Sequence, residues 1–121
     1  MAGVAGRVAL VTGAGSDGGI GFATARLLKE AGARVAITST TDRIFDRLNE
    51  LPGDSSEAFA APADLTETAQ VEKLVSDATA ALGPIDIVVN NAGMVEISRD
   101  EPSGHLHSTT DEGWRYGLDI N

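Results

Sequence analysis

Between Thr12 and Gly21 the chain reads Thr12-Gly-Ala-Gly-Ser-Asp-Gly-Gly-Ile-Gly21, with five glycines in ten residues. Glycine has no Cβ, so a backbone of this kind can close tightly around a bulky anion. A short Val-rich run, Arg7-Val-Ala-Leu-Val-Thr12, precedes it, and a helical pattern starts at Ile20. A glycine turn between a strand and a helix offers a pyrophosphate free N–H groups and the positive end of a helix dipole. The rival is the P-loop, which needs Lys directly after its last Gly, and no Lys follows any of these glycines. Polar residues also close the later apolar runs: Ser39, Thr40, Thr41 and Arg43, then Asp64, then Asn90 and Asn91. His105-Leu-His107 has only Asp100, Glu101 and Asp111 nearby as further ligands, so it reads as loop histidines and not as a metal site.

The elements that must position these residues alternate. Arg7–Thr12 and Arg34–Thr38 read as buried strands, Ala58–Ala61 as a third and Ile85–Val89 as a fourth. Between them, Ile20, Ala23, Leu27, Leu28 and Ala31 share one helical face, which Gly32 ends. Ile44, Leu48 and Leu51 space as a short helix stopped by Pro52-Gly53. Thr66 reads as the cap of a helix whose Val71, Leu74, Val75, Ala78 and Leu82 form a stripe, stopped by Gly83-Pro84. Residues 94–108 read as a loop, and Thr109 with Glu112 as a capping box opening a last helix. Continuous apolar strands alternating with helices predict an α/β fold: a Rossmann-type, doubly wound parallel sheet.

The composition narrows the function. At 121 residues the chain is expected to form part of one domain. Nine Lys and Arg against 18 Asp and Glu give a net charge of -9, which argues against nucleic acid and against an anionic membrane surface. The absence of Cys excludes disulfides, thiol catalysis and cysteine metal sites. No apolar run approaches the roughly 20 residues of a membrane span. Met1-Ala-Gly-Val-Ala-Gly-Arg7 is not the pattern of a signal peptide, and Ala2 excludes N-myristoylation. A cytoplasmic protein is the expectation.

Taken in order, Thr12-Gly13 with Gly19-Ile20-Gly21, Asp64-Leu65 after the third strand, Asn90-Asn-Ala-Gly93 after the fourth, and Trp114-Arg-Tyr-Gly-Leu-Asp-Ile-Asn121 resemble the short-chain dehydrogenase/reductases, in their ketoacyl-reductase-like classical group. The resemblance implies an oxidoreductase that moves a hydride between a nicotinamide dinucleotide and a ketone or secondary alcohol, 3-oxoacyl thioesters among the candidates. It implies that Gly13, Gly15, Ser16, Gly19, Ile20 and Gly21 wrap the pyrophosphate. Asp64 would hydrogen-bond the adenine with Leu65 beside it, and Asn91, Ala92 and Gly93 would line the ribose. Asn121 would be the catalytic Asn that holds a water in the proton relay. Plainer readings stand beside these: Asp64 as a helix cap, and Asn90 and Asn91 as turn residues. The glycine turn is two residues longer than the family's common spacing, read here as a lengthened phosphate turn. The family's dimers and tetramers imply a homo-oligomer.

In the family's register Ser39 decides between the two dinucleotides, with Thr40 next. Neither is acidic, and Thr41 and Arg43 can hold a 2′-phosphate, so NADP is expected, with NAD as runner-up. Asp42, at the generic distance for a ribose-binding acid, points the other way. The family's proton chemistry uses a Ser and a Tyr-x-x-x-Lys pair on one helix. The only Tyr here is Tyr116, followed four residues later by Ile120, and the lysines are Lys29 and Lys73. The expectation is therefore the first four strands of the fold, in order 3-2-1-4, with the catalytic part elsewhere and residues 1–121 inactive by themselves. The alternative is a non-catalytic dinucleotide-binding module.

Overall fold

In the computed structural model of the chain, residues 3–93 are described. The four strands are β1 (Val8–Val11), β2 (Arg34–Ser39), β3 (Ala58–Pro62) and β4 (Ile87–Val89). The helices are α1 (Ile20–Glu30), α2 (Ile44–Glu50) and α3 (Thr68–Leu82), with one 3-10 turn at Ser55–Glu57 that the residue pattern did not announce. The sheet is parallel in the order β3-β2-β1-β4, the expected order, and this unit closes at Asn91. The expected last helix at Thr109 lies outside the described residues.

The inner strands β1 and β2 are buried on both faces because each feeds two layers, while edge strand β4 leaves Val88 exposed. Val11, Val35, Ile37 and Ala60 pack with Ala25 of α1 and Ile44 of α2. Val8, Leu10 and Ala36 pack with Leu74, Ala78 and Leu82 of α3. Those three α3 residues repeat every four positions, one stripe of a helix against a flat sheet. Truncating a buried Leu here costs about 2–5 kcal/mol.

Three sequence expectations need correction. The first is the rotation of α1. Its buried residues are Gly21, Phe22, Ala25 and Lys29, while Ile20 is 77% and Leu27 65% exposed, and Ala23 is exposed too. Gly21 sets this rotation, because only a residue without a side chain can lie against the glycine turn. Lys29 completes the buried face by running its stem inward and donating Nζ to the Asp54 carbonyl at 2.9 Å.

The second correction concerns α3. Its N-cap is Glu67, without a side-chain cap, and Val75 is exposed. Thr66 is engaged elsewhere: its N–H and hydroxyl both donate to Asp64 Oδ1, at 3.0 and 2.6 Å. The third is the start of β4. Asp86 N–H donates to the Val8 carbonyl at 2.9 Å, but its Oδ2 accepts the Val8 N–H at 3.0 Å, so a side chain replaces one backbone partner and the strand begins at Ile87.

Candidate dinucleotide site

Parallel strands end on one side, so the polar residues that follow them collect along the carboxyl edge of the sheet. The glycine turn follows β1 and leans on both neighbours. Ala14 N–H donates to the Thr38 carbonyl at 3.0 Å, and Thr12 N–H to the Val89 carbonyl at 3.1 Å. Thr12 Oγ1 donates to Val89 O at 3.3 Å and accepts the Asn91 N–H at 3.1 Å. Asn91 Nδ2 donates to the Gly13 carbonyl at 3.2 Å. Asn91 thus braces the turn through both its backbone and its side chain. These bonds fit its plainer reading as a turn residue.

Two glycines are required by close approach. A Cβ on Gly21 would stand 2.5 Å from Gly13 O and 2.6 Å from Asn91 Nδ2. A Cβ on Gly15 would stand 2.8 Å from Ser39 Cβ and 3.2 Å from Arg43 Nε. The second contact joins two parts of the sequence reading, because the side chains against Gly15 are those assigned to dinucleotide choice. Gly13 takes a φ of 68°, which permits the turn out of β1.

The start of α1 fits an anion. Its N-cap is Gly19 with no side-chain cap, and no acid stands in its first turn. The first N–H groups of a helix have no partner within it, so these await an outside acceptor. Gly19 N–H donates to the Ser16 carbonyl at 3.1 Å, which folds the lengthened turn ahead of the helix.

Ser39 ends β2 with Oγ donating to the Thr41 carbonyl at 3.1 Å, and Thr40 and Arg43 are exposed beside it. Asp64 follows β3 on the same sheet edge. The hydroxyl and then the N–H of Thr66 hold its carboxyl below the ordinary carboxylate range. Leu65 packs against the α3-side core. Ile20 stands exposed at the head of α1. Ala92 and Gly93 follow Asn91 in the chain, and Asn121, His105, His107 and Tyr116 lie outside the described residues.

Sequence reasoning missed Thr12 as a brace, although Ser and Thr at strand ends favour such bonds. It also missed Arg47, four residues beyond Arg43 on α2, whose Nη1 lies 3.7 Å from Asp17 Oδ2 on the glycine turn.

A family model described as short chain dehydrogenase matches residues 7–121. The chain belongs to this family. Among short chain dehydrogenases it is 32% identical over 120 residues to the 2,3-dihydro-2,3-dihydroxybenzoate dehydrogenase of Bacillus subtilis, covering 98% of this chain and 43% of that one. It is 38% identical over 115 residues to the cis-4-hydroxycyclohexanecarboxylate dehydrogenase of Sinomonas cyclohexanicum, covering 95% and 43%. A solved variant of the actinorhodin polyketide ketoreductase with NADPH superposes with a TM-score of 0.79 and 33% identity, covering 94% of this chain and 41% of that one. A metagenomic short-chain oxidoreductase in complex with NADP gives 0.78 and 30%, covering 97% and 50%. The chain thus spans less than half the length of those two curated relatives. No helix among the described residues is long and apolar enough to cross a membrane.

Proposed function

We propose that this chain binds a nicotinamide dinucleotide, NADP in preference to NAD, as part of an oxidoreductase acting on a ketone or secondary alcohol. The observation that carries the reading is the uncapped, acid-free start of α1 behind a glycine turn, with Gly21 packed against Gly13 and Asn91. Bound there, the dinucleotide supplies or accepts the hydride. The chain's own residues bind and orient it. The turn from Gly13 to Gly21 takes the pyrophosphate, Asp64 the adenine, and Asn91 with Ala92 and Gly93 the ribose. Ser39, Thr40 and Arg43 take the 2′-phosphate, a guanidinium and hydroxyls being suited to a dianion. The NADPH and NADP carried by the two solved relatives support this preference.

The rest of the reading belongs to the same proposal: Asn121 as the catalytic Asn, residues 1–121 as the dinucleotide-binding part of one Rossmann-type domain, a cytoplasmic homo-oligomer, and a small carbonyl or alcohol substrate such as a 3-oxoacyl thioester. The sequence supplies no Tyr-x-x-x-Lys pair, so these 121 residues by themselves are expected to bind dinucleotide without turnover. The test is calorimetric titration with NADPH and with NADH, beside Gly21→Ala as the site control. Tighter NADPH binding that Gly21→Ala abolishes is expected. Tighter NADH binding overturns the preference, and binding of neither overturns the site.

A further inference from the structure

The lengthened glycine turn carries an acid, Asp17, whose side chain is 79% exposed. A carboxylate is out of place on a turn that receives a pyrophosphate, since like charges repel. The structure supplies a cation against it. Arg47 reaches over from α2 and brings Nη1 to 3.7 Å from Asp17 Oδ2. Arg47 is itself held in place: its side chain is only 13% exposed and its Nη2 lies 2.9 Å from Glu50 Oε1. Its guanidinium lies 5.8 Å from the centroid of the Phe22 ring, and Arg26 lies 5.1 Å from the same ring. Phe22 is buried in the first turn of α1, directly after Gly21. Arg47 therefore touches the turn, the head of α1 and α2 at once. Its buried Nε has no hydrogen-bond partner, and the guanidinium is held by the Asp17 and Glu50 carboxylates beside the Phe22 ring.

We propose that Arg47 is a positioning residue for the phosphate turn. It neutralises Asp17 and ties the lengthened turn to α2, so that an incoming pyrophosphate meets a turn whose own carboxylate is already paired. Arg47 does this without touching the ligand. The proposal rests on the dinucleotide reading above, and its test separates the two.

Four versions of the full chain are compared: the parent, Asp17→Asn, Arg47→Met and the double variant. Amide hydrogen exchange at residues 14–19 is read without ligand, and NADPH affinity by calorimetry. Arg47→Met is expected to speed exchange in the turn and to weaken NADPH by about five-fold. Asp17→Asn is expected to speed exchange equally but to bind NADPH nearly as the parent does, because the repelling charge leaves with the tether. The double variant then matches Asp17→Asn in both readouts. If Arg47→Met weakens NADPH equally in the Asp17→Asn background, Arg47 contacts the ligand and the proposal fails. Asp17 is exposed, so its replacement leaves the fold intact. Unchanged exchange in Asp17→Asn alone also overturns the proposal, even should Arg47→Met not fold. Absence of NADPH binding by the parent chain removes the dinucleotide reading, while exchange still decides the tether.

Discussion

Asp54 and Asp64 are held the same way, each by the residue two positions on. Ser56 gives Asp54 Oδ1 its N–H at 2.9 Å and its hydroxyl at 2.8 Å, and Thr66 does the same for Asp64. For Asp54 the backbone bond dominates and for Asp64 the hydroxyl, and both carboxyls titrate below their ordinary range. A depressed folded pKa means that the stabilisation is complete above the unfolded carboxylate's pKa. It is lost as pH falls through the lower folded value. The thermal midpoint should therefore fall below about pH 4. The double variant Asp54→Asn/Asp64→Asn should show a lower midpoint near pH 7 and a shallower fall below about pH 4, followed by circular dichroism. The position of Asp64 just after the end of the third strand was legible in the sequence. The bonds of Asp64 to Thr66 were not, because an Asp followed two residues later by Thr suits a turn and a helix cap equally well.

At the scale of the element, α1 is the instructive case. Of the expected face Ile20, Ala23, Leu27, Leu28 and Ala31, Leu28 packs against the core while Ile20, Ala23 and Leu27 are exposed. Gly21 sets this rotation, since it has to face Gly13, and Phe22 and a Lys are buried instead. Phe22→Ala should cost about 3–5 kcal/mol. Leu27→Gln, at an exposed position, should change stability by no more than about 0.5 kcal/mol. Chemical denaturation of both variants checks the rotation, and the reverse ranking would refute it. The order of elements was readable because each strand is a short apolar run ended by polar residues. Element starts were read less well. β4 begins where the Asp86 side chain stops standing in for the ladder, and α3 begins two residues after Thr66 because Asp64 holds that Thr. Such side-chain bonds leave no periodic trace. The Arg47–Asp17 pair is hidden for the same reason, as 30 positions of chain separate its members.

At the scale of the molecule, charge is the dominant non-specific feature. There are 18 acids against nine Lys and Arg. Among the described residues the ion pairs are Arg47 with Asp17 and Glu50, and Lys73 with Asp77. The surplus acids repel one another, and salt shortens the reach of that repulsion to about 10 Å at 0.1 M and about 3 Å at 1 M. The thermal midpoint at neutral pH should rise from low salt to 0.5 M sodium chloride, measured by scanning calorimetry. A fall would mean that the few ion pairs matter more than the excess charge. The sheet order has a consequence in time. β1 is made early, but its turn is braced by Val89 and Asn91, which lie 77 and 78 positions later. At synthesis rates of about 5–20 residues per second, the glycine turn waits roughly 4–16 s for those bonds. Until β4 is made, the most glycine-rich segment of the nascent chain lacks its partner on one side, so its brace forms well after β1 itself has left the ribosome.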